Sequence, residues 1–253
     1  MSWDPDVYMK FANERTRPAV ELLARLPLSA PQTVIDLGCG PGNSTAILAS
    51  RWPQADIEGL ESSPEMIAKA RSSGTRAEFI EGDVESWTPA APYDVVFSNA
   101  TLHWIANHDV LLPRLMDNVA EGGALAFQMP RNFHEASHVL MREVANNGPW
   151  AETLKNARQI NVRQPEFYYD LLAPLSRTLD IWETEYLQVL EGEDPILTWV
   201  SGTGLRPFVQ PLAEVERDYF IAEYRHLLHD AYPRRADGRT LFPFKRLFVV
   251  ATR

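Results

Sequence analysis

The chain has 253 residues, of which 45% are hydrophobic, so it is long enough to bury a sizeable core in one or two domains. Its net charge of -10 argues against a nucleic-acid partner, because phosphate binding requires a basic face, but it leaves room for a small anionic substrate. The single cysteine, Cys39, excludes an internal disulfide and is compatible with a reducing compartment. We find neither a signal-peptide pattern nor an apolar run of the roughly 20 residues that span a membrane, and we expect a cytoplasmic protein.

Short apolar runs alternate with helical patterns over the first half of the chain. We predict helices over NSTAILASRW, capped by Asn43 or Ser44, over SPEMIAKARSS, capped by Ser63, and over DVLLPRLMDNVA, kinked or opened near Pro113. The predicted strands are TVIDLG, DIEGLE, AEFIEGD, YDVVFSN and GGALAFQM. This βαβαββαβ order predicts a mostly parallel, doubly wound α/β sheet.

The pattern changes after Pro130. Helices are predicted over HEASHVLMREVANNG, PEFYYDLLAPL and LAEVERDYFIAEYRHLLHDAYPRR, and strands over IWETEYLQVL and RLFVVAT. No linker separates these elements from the core, so we expect one domain spanning 1–253. Its core would comprise 30–130, 177–190 and 245–253, with helical additions over the carboxyl edge of the sheet from 1–29, 131–176 and 191–244.

Three glycines, Gly38, Gly40 and Gly42, follow the first predicted strand and precede a helix. Ligands of parallel α/β sheets lie beyond the carboxyl ends of the strands, and glycine there lets the backbone approach a ligand closely. The dinucleotide fingerprint G-x-G-x-x-G would need a glycine at Asn43, which disfavours a nicotinamide-dependent oxidoreductase.

The segment VIDLGCGPG, with Asp36 before the glycines, resembles motif I of the class I S-adenosylmethionine methyltransferases. The resemblance implies a Rossmann-like, mostly parallel seven-stranded sheet and S-adenosyl-L-methionine as cofactor. Glu61, at the end of the second strand, would accept hydrogen bonds from the ribose hydroxyls, for which a bidentate carboxylate is suited. The residues that the resemblance places at the cofactor are Tyr8, Asp36, Gly38, Cys39, Gly40, Glu61, Ser62, Met66, Asp83, Val84 and Asn99.

Segments along almost the whole chain, including NATLHWI, GLRPFVQPL and RLFVVATR, are similar to those of the bacterial trans-aconitate 2-methyltransferase family. That family transfers a methyl group from the cofactor to one carboxylate of trans-aconitate and forms a monomethyl ester. A carboxylate is already ionised at pH 7, so the reaction requires no general base. We expect no metal site. His103 and Trp104 would then serve to position the substrate.

A polycarboxylate must be neutralised inside an acidic protein, and arginine pairs with carboxylates in a bidentate manner. We expect the substrate contacts to come from Arg15, Arg17, His103, Arg131 and Arg206. Each arginine could also be an ordinary solvated side chain. Two further alternatives stay open, namely a methyltransferase for another small carboxylate or hydroxyl substrate, and a cofactor-binding protein without catalysis.

Overall fold

The computed structural model describes residues 12–157 and 162–253. Its helices are α1 (Ala12–Ala24), α2 (Asn43–Arg51), α3 (Pro64–Ser72), α4 (His108–Asp117), α5 (Ala136–Asn147), α6 (Ala151–Leu154), α7 (Pro165–Leu172), α8 (Pro195–Ser201), α9 (Arg206–Val209) and α10 (Glu214–Ala231). Its strands are β1 (Thr33–Leu37), β2 (Asp56–Glu61), β3 (Glu78–Glu81), β4 (Tyr93–Asn99), β5 (Val119–Pro130), β6 (Thr178–Leu190) and β7 (Thr240–Thr252).

The strands form one seven-stranded sheet in the order β3-β2-β1-β4-β5-β7-β6. The pairs β1–β2, β1–β4, β2–β3 and β4–β5 are parallel, and β7 runs antiparallel to β5. Strand order reverses at β1 and β4, the point at which ligands bind in doubly wound folds. The predicted Rossmann-like, mostly parallel seven-stranded sheet is therefore confirmed.

Local sequence explains most of the elements in the first half of the chain. The buried residues Val34, Ile35 and Leu37 give β1 the apolar character of a strand that is covered on both faces, interrupted by the buried Asp36. Helix α3 begins as predicted, because the Ser63 hydroxyl accepts a hydrogen bond from the backbone N–H of Met66 and Pro64 occupies the first turn.

Several predicted boundaries are wrong. The residue that caps α2 is Gly42, with φ 92°, and neither Asn43 nor Ser44 fills that position, because only glycine readily adopts the left-handed turn that precedes the helix. Strand β7 begins at Thr240 and is longer than predicted. The sequence patterns also missed the short helices α6, α8 and α9, which contain too few residues for a clear period.

The chain divides into two compact units. The first, called here the sheet unit, comprises 15–130, 161–184 and 246–253, and the second, called the helical unit, comprises 1–14, 131–160 and 185–245. The predicted transitions near 130 and 245 coincide with two of these limits, whereas 15–29 and 161–176, predicted as additions, fall in the sheet unit, and 185–190, predicted as core, falls in the helical unit. The assignment of the whole chain to one domain stays a prediction.

Each unit has its own hydrophobic cluster. In the sheet unit, the buried cluster joins residues of β1, β4, β5 and β7 to α4 and α7. In the helical unit, α5, α8 and α10 pack together around aromatic residues, among them Trp150, Trp199 and Phe220. None of the helices in the described ranges is long and apolar enough to cross a lipid bilayer.

A buried histidine–tyrosine pair joins α4 to α7 in the sheet unit. His108 Nε2 lies 2.8 Å from the carbonyl oxygen of Leu102, which can only accept, so Nε2 carries the proton. Burial lowers the pKa of His108, which keeps the ring neutral and leaves Nδ1 to accept from the Tyr168 hydroxyl at 2.9 Å. The same hydroxyl accepts from the N–H of Arg163 at 3.1 Å.

We therefore expect Tyr168→Phe to lower the free energy of unfolding by about 1–3 kcal/mol, because it leaves a buried acceptor and a backbone donor without their partner. Urea denaturation measures the change. Tyr169→Phe is the matched control, since Tyr169 is the next residue in the same helix and its side chain is exposed. Equal stabilities for the two variants would contradict the assigned role of the pair.

Candidate functional site

The glycine loop, Gly38–Gly42, lies at the carboxyl end of β1. Gly38, Gly40 and Gly42 all have positive φ, at 73°, 55° and 92°. The loop is tied to β2 because the N–H groups of Gly38 and Cys39 both donate to the carbonyl oxygen of Leu60, at 2.8 and 3.0 Å. A Cβ atom on Gly38 would lie only 2.2 Å from the side chain of Thr101, so this position also requires glycine for space.

Glu61 ends β2 and contacts the loop directly. Its Oε2 accepts from the N–H of Gly40 at 3.0 Å, and its Oε1 accepts from the N–H of Ser63 at 2.8 Å. The carboxylate thus orders both the glycine loop and the start of α3. The Ser62 hydroxyl also donates to Oε1, at 3.4 Å, so the capacity of this carboxylate to accept from a diol lies mainly at the second lone pair of Oε2.

Asp36 lies one residue before the end of β1 and is fully buried. Its Oδ2 accepts from the hydroxyls of Ser44 and Thr45, both at 2.7 Å, and this attaches the first turn of α2 to the strand. Among the described residues its Oδ1 has no hydrogen-bond partner. Burial raises the pKa of Asp36 to about 6; the two hydroxyl hydrogen bonds oppose the shift and the charge of Glu61 adds to it.

Three more of the predicted cofactor residues line this part of the unit. Cys39 is buried, with Sγ 3.6 Å from the carbonyl oxygen of Gly40, and burial raises the pKa of its thiol far above neutrality. Met66 is buried in the first turn of α3, and Ser62 is exposed, with its hydroxyl 3.4 Å from Glu61 Oε1. An un-ionised thiol is a poor nucleophile, which fits the interpretation of Cys39 as a small residue of the loop.

Asp83 and Val84 lie in the loop after β3. Asp83 is exposed, and its Oδ1 accepts from the N–H of Glu85 at 2.8 Å. The buried Val84 is held through its carbonyl oxygen, which accepts from the guanidinium of Arg114 at 2.7 Å. A second nitrogen of Arg114 donates to the carbonyl oxygen of Trp87, so α4 clamps this loop from one side. The sequence patterns did not identify Arg114.

The segment after β4 carries the strained backbone of the site. Ala100 has φ 55°, a left-handed conformation that costs free energy in any residue with a Cβ. Thr101 follows, and its hydroxyl donates to the carbonyl oxygen of Gly38 at 3.0 Å, so the loops after β1 and β4 are joined. His103 is buried in the next turn, with its ring centroid 4.7 Å from that of Trp104.

Asn99, the last residue of β4, belongs to a polar network that the sequence patterns missed. Its side-chain oxygen accepts from Gln128 Nε2 at 2.5 Å, and Gln128 Oε1 accepts from Arg246 at 2.9 Å. Gln128 and Arg246 are both buried. The available signal was that Gln128 interrupts the apolar run ALAFQM in β5 and that Arg246 directly precedes the apolar run LFVV in β7.

The predicted substrate arginines lie in different parts of the chain. Arg17 is an exposed residue of α1 in the sheet unit and pairs with Glu21 at 2.8 Å. Arg131 and Arg206 belong to the helical unit and are half-buried; the N–H of Arg131 donates to the carbonyl oxygen of Lys245 at 2.8 Å, and Arg206 begins α9. Arg15 lies in α1 outside the described side chains, and Tyr8 lies outside the described residues.

The structure thus brings the described cofactor candidates together at the carboxyl edge of β1, β2, β3 and β4. Among the described residues, no group of three histidine, cysteine, aspartate or glutamate side chains is placed to hold a metal ion. The roles of the individual residues toward cofactor and substrate stay predictions.

Burial of Asp36 leads to a prediction about pH. Its pKa is about 6 in the folded chain and 3.8 in the reference state, so the folded state favours the protonated form. The stability that protonation contributes is complete below about pH 3.8 and is lost as the pH rises through about 6. We expect Asp36→Asn, which keeps an acceptor for both hydroxyls, to gain stability relative to the parent by about 1 kcal/mol between pH 5 and 7.5.

Unfolding free energies of parent and variant at the two pH values test this. Asp170→Asn is the control, since that carboxylate is exposed and solvated in the folded chain. The same change with pH in the parent and in Asp36→Asn would show that this carboxylate is not the titrating group.

Comparison with known proteins agrees with this geometry. A family model described as a methyltransferase domain matches residues 34–123, which include the glycine loop, Glu61, Asp83 and Asn99. Two solved structures share the fold at low sequence identity. The YcgJ protein from Bacillus subtilis has a TM-score of 0.62 at 11% identity and covers 94% of this chain and 98% of its own. A Haemonchus contortus phosphoethanolamine N-methyltransferase, solved with S-adenosylhomocysteine, has a TM-score of 0.56 at 15% identity and covers 93% of this chain and 52% of its own.

The similarity to curated sequences is much higher and extends over both units. The trans-aconitate 2-methyltransferase of Azoarcus sp. (strain BH72) is 51% identical over 253 residues, which is 100% of this chain and 99% of that protein. That of Paracidovorax citrulli is 48% identical over 99% of this chain and 98% of its own. The chain belongs to the trans-aconitate 2-methyltransferase family, within the S-adenosylmethionine-dependent methyltransferases.

Proposed function

We propose that the protein transfers the methyl group of S-adenosylmethionine to one carboxylate of trans-aconitate and releases the monomethyl ester. The observation that supports the cofactor most directly is the contact between Glu61 and the N–H of Gly40, which places a carboxylate and a glycine loop side by side at the carboxyl edge of β1 and β2. The substrate follows from the full-length similarity to the named relatives, which includes the helical unit as well as the methyltransferase domain.

The cofactor lies across the glycine loop in this proposal. Gly38, Cys39 and Gly40 present backbone to it, Glu61 accepts from the ribose hydroxyls, and Asp83 with Val84 borders the adenine. Ser62 and Met66 line the start of α3, and Tyr8, which lies outside the described residues, is proposed as a further cofactor contact. Asp36 acts through the first turn of α2, because Ser44 and Thr45 occupy its Oδ2.

Carboxyl methylation needs no proton transfer before the nucleophile attacks. The nucleophilic carboxylate oxygen is ionised at neutral pH, so no residue has to remove a proton before attack. The enzyme must place that oxygen in line with the methyl carbon and the sulfonium sulfur at near-attack distance. His103 and Trp104, in the turn that follows Asn99, are the residues that we propose to position the substrate.

The enzyme must also neutralise the negative charge of the bound substrate. Trans-aconitate carries up to three carboxylates, and the protein has a net charge of -10, so bound anions require local cations. We propose that the guanidinium groups of Arg15, Arg17, Arg131 and Arg206 supply them. A reducing cytoplasm suits the single thiol, Cys39, and we infer that setting for the protein, which cell fractionation would test.

Turnover with a panel of acids tests the function. We expect the purified protein to transfer labelled methyl from S-adenosylmethionine to trans-aconitate, and the product mass to be that of a monomethyl ester that hydrolyses in base. Citrate, isocitrate, cis-aconitate and simple hydroxyl compounds complete the panel. Preferred methylation of one of these would change the substrate but not the reaction class, whereas cofactor binding without any transfer would indicate a non-catalytic protein.

The arginines can be tested one at a time by substitution with methionine, which keeps the stem and removes the charge. At an effective dielectric constant of about 20, a cation about 4 Å from a carboxylate gains about 4 kcal/mol before desolvation is subtracted. We expect at least two of the four variants to lose at least about tenfold in kcat/KM for trans-aconitate while affinity for S-adenosylhomocysteine is kept.

Arg177→Met is the matched control for this series, since Arg177 is an exposed arginine outside the proposed set. Values of kcat/KM within twofold of the parent for all four variants would mean that these arginines form an ordinary solvated surface.

A further inference from the structure

Three polar side chains form a chain of hydrogen bonds across β4, β5 and β7. Arg246 donates to Gln128 Oε1 at 2.9 Å, and Gln128 Nε2 lies 2.5 Å from Asn99 Oδ1. Gln128 is fully buried and Arg246 is 6% exposed. Asn99 and Gln128 are direct register partners of the parallel β4–β5 pair, so the side-chain contact follows the sheet geometry.

The direction of this chain is imposed by the chemistry of its first member. A guanidinium can donate but cannot accept, so Gln128 must turn its oxygen toward Arg246. The amide nitrogen of Gln128 then faces Asn99 and can only donate, so Asn99 must turn its oxygen toward Gln128. The orientation of both amides is therefore fixed, although oxygen and nitrogen of an amide are similar in size and shape.

The consequence for Asn99 is that its NH₂ group points away from Gln128. Asn99 is the last residue of β4, and the hydroxyl of Thr101 attaches the following turn to the glycine loop through the Gly38 carbonyl oxygen at 3.0 Å. The Asn99 amide is thus a directed donor at the edge of the sheet where we place the cofactor and the methyl acceptor.

We propose that Arg246 and Gln128 are positioning residues that hold Asn99 as a hydrogen-bond donor to a carboxylate oxygen bound at this edge. Both ligands of the proposed reaction carry such a group, the methionine part of the cofactor and the substrate itself, and the inference rests on that proposed function. A donor contributes to binding a carboxylate, whereas a side-chain oxygen in its place would repel it.

Stability alone does not explain the network. The backbone ladders of β4–β5 and β5–β7 already join these strands through Asn99, Gln128 and their neighbours. Burying a guanidinium carries a desolvation penalty that its hydrogen bonds offset only in part, and apolar side chains of similar volume are often as stabilising. A buried arginine that fixes the polarity of two amides is therefore better explained by the direction of the donor.

The decisive variant is Gln128→Glu, which has nearly the same shape and can still accept from Arg246. An ionised glutamate cannot donate, so Asn99 satisfies it only by rotating its amide, and its oxygen then faces the ligand. We expect a loss of at least about tenfold in binding the carboxylate concerned. Ser98→Ala is the matched control, since Ser98 is the preceding, buried residue of β4 and its hydroxyl donates to the Leu37 carbonyl oxygen at 2.9 Å.

Two measurements separate the two sources of carboxylate. Calorimetry compares S-adenosylhomocysteine with 5′-methylthioadenosine, which shares the adenosine but lacks the amino-acid part, and kinetics gives KM for trans-aconitate. Weaker binding of S-adenosylhomocysteine alone supports a donor to the cofactor, and a higher KM with unchanged binding of both nucleosides supports a donor to the substrate. Unchanged values throughout, or equal losses for both nucleosides, would overturn the proposal. If the parent protein does not turn over trans-aconitate, the proposed substrate is wrong. The calorimetry with S-adenosylhomocysteine and 5′-methylthioadenosine would still test the role of Asn99 toward the cofactor.

A double-mutant cycle with Asn99→Ala excludes a direct effect of the new charge. If Gln128→Glu acts through Asn99, it has no further effect in the Asn99→Ala background. A full additional loss there would overturn the proposal.

The substitutions Arg246→Lys and Arg246→Gln test the same proposal without adding a negative charge. Lysine still only donates and should preserve the ligand affinity, whereas glutamine imposes no direction and should reduce it; equal behaviour of the two would contradict the assigned role.

Discussion

The candidate site depends above all on the parallel pairing of β1 between β2 and β4. Parallel pairing brings the carboxyl ends of neighbouring strands to one edge, so residues that are far apart in sequence end within reach of each other. The N–H of Gly40 donates to the Glu61 carboxylate, and the Thr101 hydroxyl donates to the carbonyl oxygen of Gly38. The loop after β1 is therefore held from both sides, and its positive-φ glycines permit the close contacts that a larger residue would block.

Two buried charged groups lie close to this edge, and they have different consequences. Asp36 receives two hydroxyl hydrogen bonds, yet burial still raises its pKa to about 6, so its ionised form reduces stability at neutral pH. Arg246 cannot release its proton and is instead accommodated by acceptors such as Gln128. Functional sites commonly retain such groups at some cost in stability, and the buried apolar cluster that the sheet shares with α4 and α7 offsets that cost here.

The proposed chemistry explains why the site contains few conventional catalytic groups. An ionised carboxylate needs orientation and charge neutralisation, and the structure offers fixed donors and a shaped loop in place of an activated base. The same reasoning removes any need for Cys39 as a nucleophile, in agreement with its buried, un-ionised thiol. The substrate itself is indicated by the relatives, which match the chain well beyond the shared methyltransferase domain.

The sequence by itself determined the elements whose pattern is local. The apolar run of β1, the glycine spacing and the Ser63–Pro64 start of α3 are all encoded within a few residues, and the same holds for the acids at the ends of β2 and β3. Sequence similarity also determined the family. Only the tertiary structure decided that β7 pairs with β5, since a strand at the end of the chain gives no sign of its partner. That pairing places Arg246 near Gln128, although the two are 118 positions apart, and the β4–β5 pairing places Gln128 beside Asn99, so the polarity of the Asn99 amide depends on both strand pairings.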